Sequence, residues 1–346
     1  MPASSPDRLF ATSSDHRECR AAIRVGSRSF FAASRLLPAH VRRPAFGLYA
    51  FCRLSDDVVD IEGGSAPALA RLRHRLTRAH RGQPLLGFAD RALAQVLRTH
   101  AIPLDVPAAL LEGLEWDAQG RRYRTLDDLQ AYAARVAGTV GVMMTLIMGV
   151  RGPQALARAC DLGAAMQLTN IARDVGEDAR AGRVYLPLDW LAEAGVDLEA
   201  FLSHPAPTPE IRLVTARLLD EAQRLYAQAR AGVAELPVRC RPAILAAATI
   251  YADIGREVAG AGFDSVTRRA RVSAPRKFQL LGQALALAPL IARAAPAPAA
   301  APYAFLLDAV AAHPLRPCPR GLSALAAPFV RTLDLFERLE RAQIAD

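Results

Sequence analysis

Apolar residues recur three and four positions apart through 43–61, 66–80, 87–99, 105–116, 125–150, 153–176, 209–235, 240–260 and 274–294. Stretches with β-branched alternation are nearly absent. A three-to-four period marks one face of an α-helix, so roughly nine amphipathic rods must bury their apolar stripes against one another. An all-α fold is therefore predicted. Breaks fall at Gly63-Gly64, Gly82 to Pro84, Pro103, Gly152-Pro153 and the cluster from Pro205 to Pro209, where glycine or proline ends a helix. With 346 residues, 52% of them hydrophobic, the chain can fill a large core. Residues 294–302, AAPAPAAAP, cannot continue a helix and read as a linker. The expected organisation is an N-terminal extension over 1–19, a main body over 20–293, that linker, and a helical appendage over 303–346.

The formal net charge of +9 raises the question of nucleic acid. Of the 43 basic residues, however, 42 are arginine spread along the chain, and Lys277 is the only lysine. Aromatic residues make up only 6%, too few for base stacking, so no nucleic-acid partner is expected. Cys19, Cys52, Cys160, Cys240 and Cys318 are odd in number and form no Cys-x-x-Cys pair, as free thiols in a reducing compartment would. The first twenty residues lack the apolar core of a secretory signal. The longest charge-free runs, 136–150 and 278–292, have 15 residues each, against roughly 18 for a membrane span. A cytoplasmic protein is expected, with the positive excess favouring peripheral contact with the anionic face of the inner membrane.

Two acidic rows stand out. In FCRLSDDVVD, residues 51–60, Asp56 and Asp60 lie one turn apart on one helix face, with Asp57 beside them. Like charges at that spacing weaken a helix by about 0.2–0.5 kcal/mol per pair, so the arrangement asks for a cation. In NIARDVGED, residues 170–178, Asn170, Asp174 and Asp178 line one stripe and present only oxygen. Each row alone also reads as a helix cap or a solvated charge. Together, two oxygen-rich faces on long apolar helices suit hard divalent ions, Mg²⁺ first and Mn²⁺ as the alternative. No histidine lies within four positions of either row, which disfavours zinc. Arg53 precedes Asp56 by three residues and Arg173 directly precedes Asp174. Arginine grips phosphate through paired donors, and the set describes a diphosphate clamp. Gly138, Gly141 and Gly149, among Met143, Met144 and Met148, either open room for a long hydrocarbon or serve close helix packing.

The stretches GSRSFFAASRLLP (26–38), LYAFCRLSDDVVD (48–60), YAARVAGTVG (132–141), MQLTNIARDVGEDARAGRVYLP (166–187) and YADIGREVAGAGFDSVTRRARVS (251–273) resemble the head-to-head isoprenyl diphosphate synthases, the squalene/phytoene synthase family. Within it they resemble the bacterial carotenoid branch. The resemblance implies an isoprenoid-synthase helical bundle enclosing a central hydrophobic cavity. It implies metal binding by Asp56, Asp60, Asn170, Asp174 and Asp178, with Arg53 and Tyr251 also in the catalytic set. Ser27, Ser29, Tyr49, Arg53, Gln167, Arg173, Tyr185 and Arg268 match positions that contact diphosphate or guide the intermediate, and Phe30 should line the hydrocarbon pocket. The implied reaction joins two geranylgeranyl diphosphates through prephytoene diphosphate into phytoene, the first committed step of carotenoid synthesis, with no NADPH. A carotenoid desaturase is the implied neighbour in the pathway. The alternatives are farnesyl-diphosphate enzymes making squalene, dehydrosqualene or presqualene diphosphate, and a non-catalytic assembly-factor homologue, which should have lost several of the acids.

Overall fold

The computed structural model describes residues 10–61, 64–293 and 298–314, with Asp60 and Ile61 described by their backbone alone. Fifteen α-helices, and no strand, occur among the described residues. The first eight are α1 (Ser13–Gly26), α2 (Arg28–Ser34), α3 (Ala39–Ile61), α4 (Ala66–His80), α5 (Phe88–Thr99), α6 (Asp105–Ala118), α7 (Leu126–Ala133) and α8 (Thr139–Ile147). There follow α9 (Pro153–Arg180), the short α10 (Leu188–Glu193) and α11 (Leu198–Ser203), then α12 (Pro209–Val233), α13 (Arg241–Gly260), α14 (Ala274–Leu287) and α15 (Ala304–Ala311). The longest, α9, packs along α12 and against α8 and α13, so its apolar stripe forms one wall of the interior.

Local chemistry starts these helices where the backbone needs partners. Thr12 and Asp15 form a reciprocal capping box at α1, and Thr125 and Asp128 form another at α7. Pro209, from the predicted break, is the first residue of α12, with Thr208 as its cap, so the proline starts a helix whose N–H it could not have donated. The segment read as one helix over 125–150 is instead α7, a π-helical turn over Ala134–Gly138, and α8. Such wide turns are uncommon and tend to sit at functional sites.

The structure redraws two boundaries. The division at residue 20 falls inside α1, whose Asp15, Cys19 and Ile23 are buried against α3 and α5. At the other end Tyr303, Leu306 and Val310 belong to the main core, so residues 303–311 are body rather than appendage. The compact unit runs to Ala312. Residues 313–346 form a second unit, all but two of whose residues lie outside the described ones, as do residues 294–297 of the expected linker. The four described cysteines are unpaired, and Cys318 lies outside the described residues. Among the described residues no helix is long and apolar enough to cross a membrane.

Candidate active site

The first acidic row rides on α3, which buries Leu48, Phe51 and Val59 and thereby turns its charged side outward from the core. Arg53 reaches two members of the row, with Nη1 3.3 Å from Asp56 and Nη2 2.6 Å from Asp57. All three side chains are nearly half exposed. Pairs like these are worth less than about 1 kcal/mol, so a stronger anion can draw the arginine away. Asp60 lies one turn further along α3, with its side chain outside the described residues.

The second row occupies the C-terminal half of α9. Asp174 is held by two guanidinium forks: Arg173 at 2.7 and 2.5 Å, and Arg269 at 2.9 and 3.2 Å. Burial pushes the Asp174 carboxyl up, but the two arginines outweigh it and hold the group below the ordinary carboxylate value. Asp178, one turn on, is pushed up to about 7 by burial and then by the charges of Asp174, Asp117 and Glu177, with Arg183 opposing.

Asp117, on α6, joins the two rows. Its carboxylate accepts hydrogen bonds from the Tyr132 and Tyr185 hydroxyls, each at 2.8 Å. Burial raises it to about 6 against those two bonds, and the charge of Asp56 adds to the rise. Asp117 therefore lies within electrostatic reach of Asp56 on α3 and of Asp178 on α9. Tyr123, Tyr132 and Tyr185 stack around it, with ring centroids 5.0 to 6.2 Å apart. Sequence reasoning missed Asp117.

Beside these acids a cavity of about 340 Å³ begins at Tyr49, Gln167, Asn170 and Tyr251. It continues between α8, α9, α12 and α13 to Ala155, Arg158 and Leu236, and nearly all of its lining is apolar. Tyr251 sits at the junction. It shares a hydrogen bond with Ser27, burial pushes its hydroxyl up to about 12 against the charge of Arg173, and its ring stacks on Phe30 at 4.9 Å. Ser27 also caps α2.

Other expected residues fall differently. Tyr185 joins Asp117 rather than the cavity wall. Ser29 is half-buried on α2, and Arg268 is exposed; its neighbour Arg269 is the one that holds Asp174 and also reaches Glu177 at 3.3 Å. Of the three glycines, only Gly141 lines the cavity, and it serves close packing as well: a Cβ there would lie 2.4 Å from the Ala159 carbonyl oxygen. Met143 is core, whereas Met144 and Met148 face the cavity.

The donor set suits a hard divalent ion: the carboxylates of both rows and the Asn170 amide offer oxygen, and a bound cation would offset both the burial that chiefly raises Asp178 and the neighbouring negative charges that add to it. Among the described residues, no three His, Cys, Asp or Glu side chains already stand close enough to hold one ion. Arg53, Arg173 and Arg269 engage the acids in their place.

Comparison with known proteins gives one consistent answer. The sequence model of the squalene/phytoene synthase family matches residues 23–277. A phytoene synthase of Rhodobacter capsulatus is 53% identical over 314 residues, 88% of this chain and 92% of that protein. A 15-cis-phytoene synthase of a Paracoccus species is 45% identical, covering 75% of this chain and 88% of its own length. Among solved structures, a dehydrosqualene synthase bound to a ligand superposes with a TM-score of 0.71 at 29% identity, over 79% of this chain and 96% of that one. A squalene synthase from Alicyclobacillus acidocaldarius superposes with a TM-score of 0.65 at 26% identity, over 72% and 95%. The helical cavity with acids from α3 and α9 at its mouth is thus an isoprenoid-synthase fold, and the chain belongs to the squalene/phytoene synthase family.

Proposed function

We propose that the chain is a prenyltransferase that condenses two geranylgeranyl diphosphates head to head into phytoene through prephytoene diphosphate. The observation that carries this reading is that Cys52 on α3 and Asn170 on α9, each one turn before an acid of its row, line the same apolar cavity. The identity to phytoene synthases selects the C40 reaction over the C30 alternatives, and every acid that a non-catalytic homologue should have lost is present.

Asp56, Asp60, Asn170, Asp174 and Asp178 would hold magnesium, or manganese in its place. Bound there, the divalent ions would supply positive charge to the departing diphosphate. The chain's own groups do the rest. Arg53, Arg173 and Arg269 exchange carboxylate partners for phosphate oxygens as diphosphate enters. In the first stage the C–O bond of one substrate breaks, diphosphate leaves with the electron pair, and the double bond of the second substrate attacks the allylic cation. A proton is lost as the cyclopropane closes. In the second stage the remaining diphosphate leaves, the skeleton rearranges, and a second proton is lost. Phe30, Leu48, Met144 and Leu162 line the wall and keep water from the cation. The released diphosphate or a tyrosine hydroxyl takes the protons. No step consumes a reductant, so none draws on NADPH.

Peripheral membrane contact belongs to the same proposal, because both substrate and product are lipids. Residues 265–307 contain five arginines and Lys277 but no acid. Phe278, Leu285 and Leu290 are exposed in or just after α14. Such a surface matches the anionic face of the inner membrane, where a desaturase could receive the product. Incubating the purified protein with magnesium and each prenyl diphosphate tests the function: the C20 substrate should give a C40 hydrocarbon, and C30 product without C40 would overturn the assignment.

A further inference from the structure

We propose that Arg158, anchored by Asp161 and by the Pro298 carbonyl, is the floor of the hydrocarbon cavity and sets the longest chain the enzyme accepts. The inference rests on the prenyltransferase reading above and adds a specificity-determining residue to it.

Helix α9 acts as a ruler along the cavity. Asn170 marks the acid end, and Arg158 lies twelve residues earlier on the same helix, about 18 Å away at the helical rise. The cavity lining that includes Arg158 also takes in Thr145 from α8, Met148 just after it, Ala155 and Ala159 from α9, and Gly232 from α12. A charged side chain in such apolar surroundings is unusual, and this one is only 6% exposed. Its charge is compensated within the fold: Nε lies 2.9 Å from Asp161 Oδ2, whose side chain is 1% exposed, and Nη2 donates to the Pro298 carbonyl oxygen at 3.0 Å. Burial pushes Asp161 up to about 6 while Arg158 pulls it down. The fully buried Tyr303 stands near enough to feel the Asp161 charge.

The arginine is also confined sterically. A Cβ at Gly232 would lie 2.2 Å from Arg158 Cβ and 2.8 Å from its Cγ, so α12 packs directly against the base of the side chain and holds it in place there. A hydrocarbon tail reaching this point can advance only by separating a buried, doubly anchored ion pair, which an apolar chain end cannot compensate. The backbone anchor comes from residues beyond the 23–277 span of the family model. The C-terminal segment thus contributes to substrate choice although it carries none of the acids of the two rows.

The test compares C20 with C25 prenyl diphosphates in the full chain. For the wild type, unreactive alkyl diphosphate analogues should bind progressively tighter from C15 to C20, then at least tenfold more weakly at C25. In Arg158→Ala/Asp161→Ala, which removes both charges together and leaves no lone buried carboxylate, the C25 to C20 ratio of kcat/KM should rise at least tenfold, with the gain in KM. Arg158→Met/Asp161→Leu, which retains bulk, should raise it less. A wild type that binds C25 as tightly as C20, or an unchanged ratio in a folded double variant, would overturn the floor assignment. Failure of the wild type to form C40 product from the C20 substrate would instead overturn the prenyltransferase reading.

Discussion

Single residues decide whether diphosphate can be held here, and the sequence discloses them unevenly. Asp56, Asp174 and Asp178 are readable because helical spacing puts acids on one face where a surface helix would alternate charge. Asp117 is not readable: it has no acid three or four positions away to mark a row, and its tyrosine partners stand 15 and 68 positions away. Only tertiary folding joins them. The choice between Arg268 and Arg269 is hidden for another reason, since residues 268 and 269 lie in a non-helical stretch with no period to say which side chain turns toward Asp174. Because Asp117 fixes two tyrosine hydroxyls beside both rows, Asp117→Ala is expected to lower kcat at least tenfold, while Tyr132→Phe, which removes one bond and keeps the ring stack, should cost less. Steady-state turnover of the C20 substrate, with circular dichroism as the folding control, checks this.

At the scale of elements, apolar periodicity located the long helices within a few residues and failed where local geometry departs from 3.6 residues per turn. The π-helical turn over Ala134–Gly138 keeps the same apolar character as its flanks, so nothing in the pattern separates α7 from α8. Helix α1 was missed because its sequence is polar; its docking depends on a few buried groups. Asp15 caps the helix and accepts from Arg91 Nε on α5 at 2.9 Å. The Arg91 hydrogen bond, against the cost of burial, lowers the Asp15 carboxyl to about 2. A carboxyl below its unfolded value adds stability that is complete above about pH 4 and is lost as the pH falls toward 2. Asp15→Asn is therefore expected to cost about 3 kcal/mol at neutral pH, as for a broken buried pair. That deficit should shrink only below pH 4, and denaturant titrations across pH would reveal it.

For the whole molecule, the compact unit closes at Ala312, not before the Ala/Pro stretch. Low-complexity composition reads as a linker, and it conceals that Tyr303 and Leu306 just beyond it are fully buried. Ending the chain at residue 297 should therefore lower stability by about 5 kcal/mol, since burying each large side chain contributes about 1.5–3 kcal/mol. The positive, acid-free stretch over 265–307 predicts binding to anionic vesicles that weakens with salt and with Phe278→Ser. Sedimentation with vesicles of neutral and anionic lipid would measure it. The central claim is that acids from α3 and α9 act together on one diphosphate. Its most direct test is magnesium-dependent release of diphosphate from geranylgeranyl diphosphate by the wild type, Asp56→Ala and Asp174→Ala, each with an unchanged fold. The expected result is release by the wild type alone, with each variant reduced at least a thousandfold; release by either folded variant at the wild-type rate would contradict it.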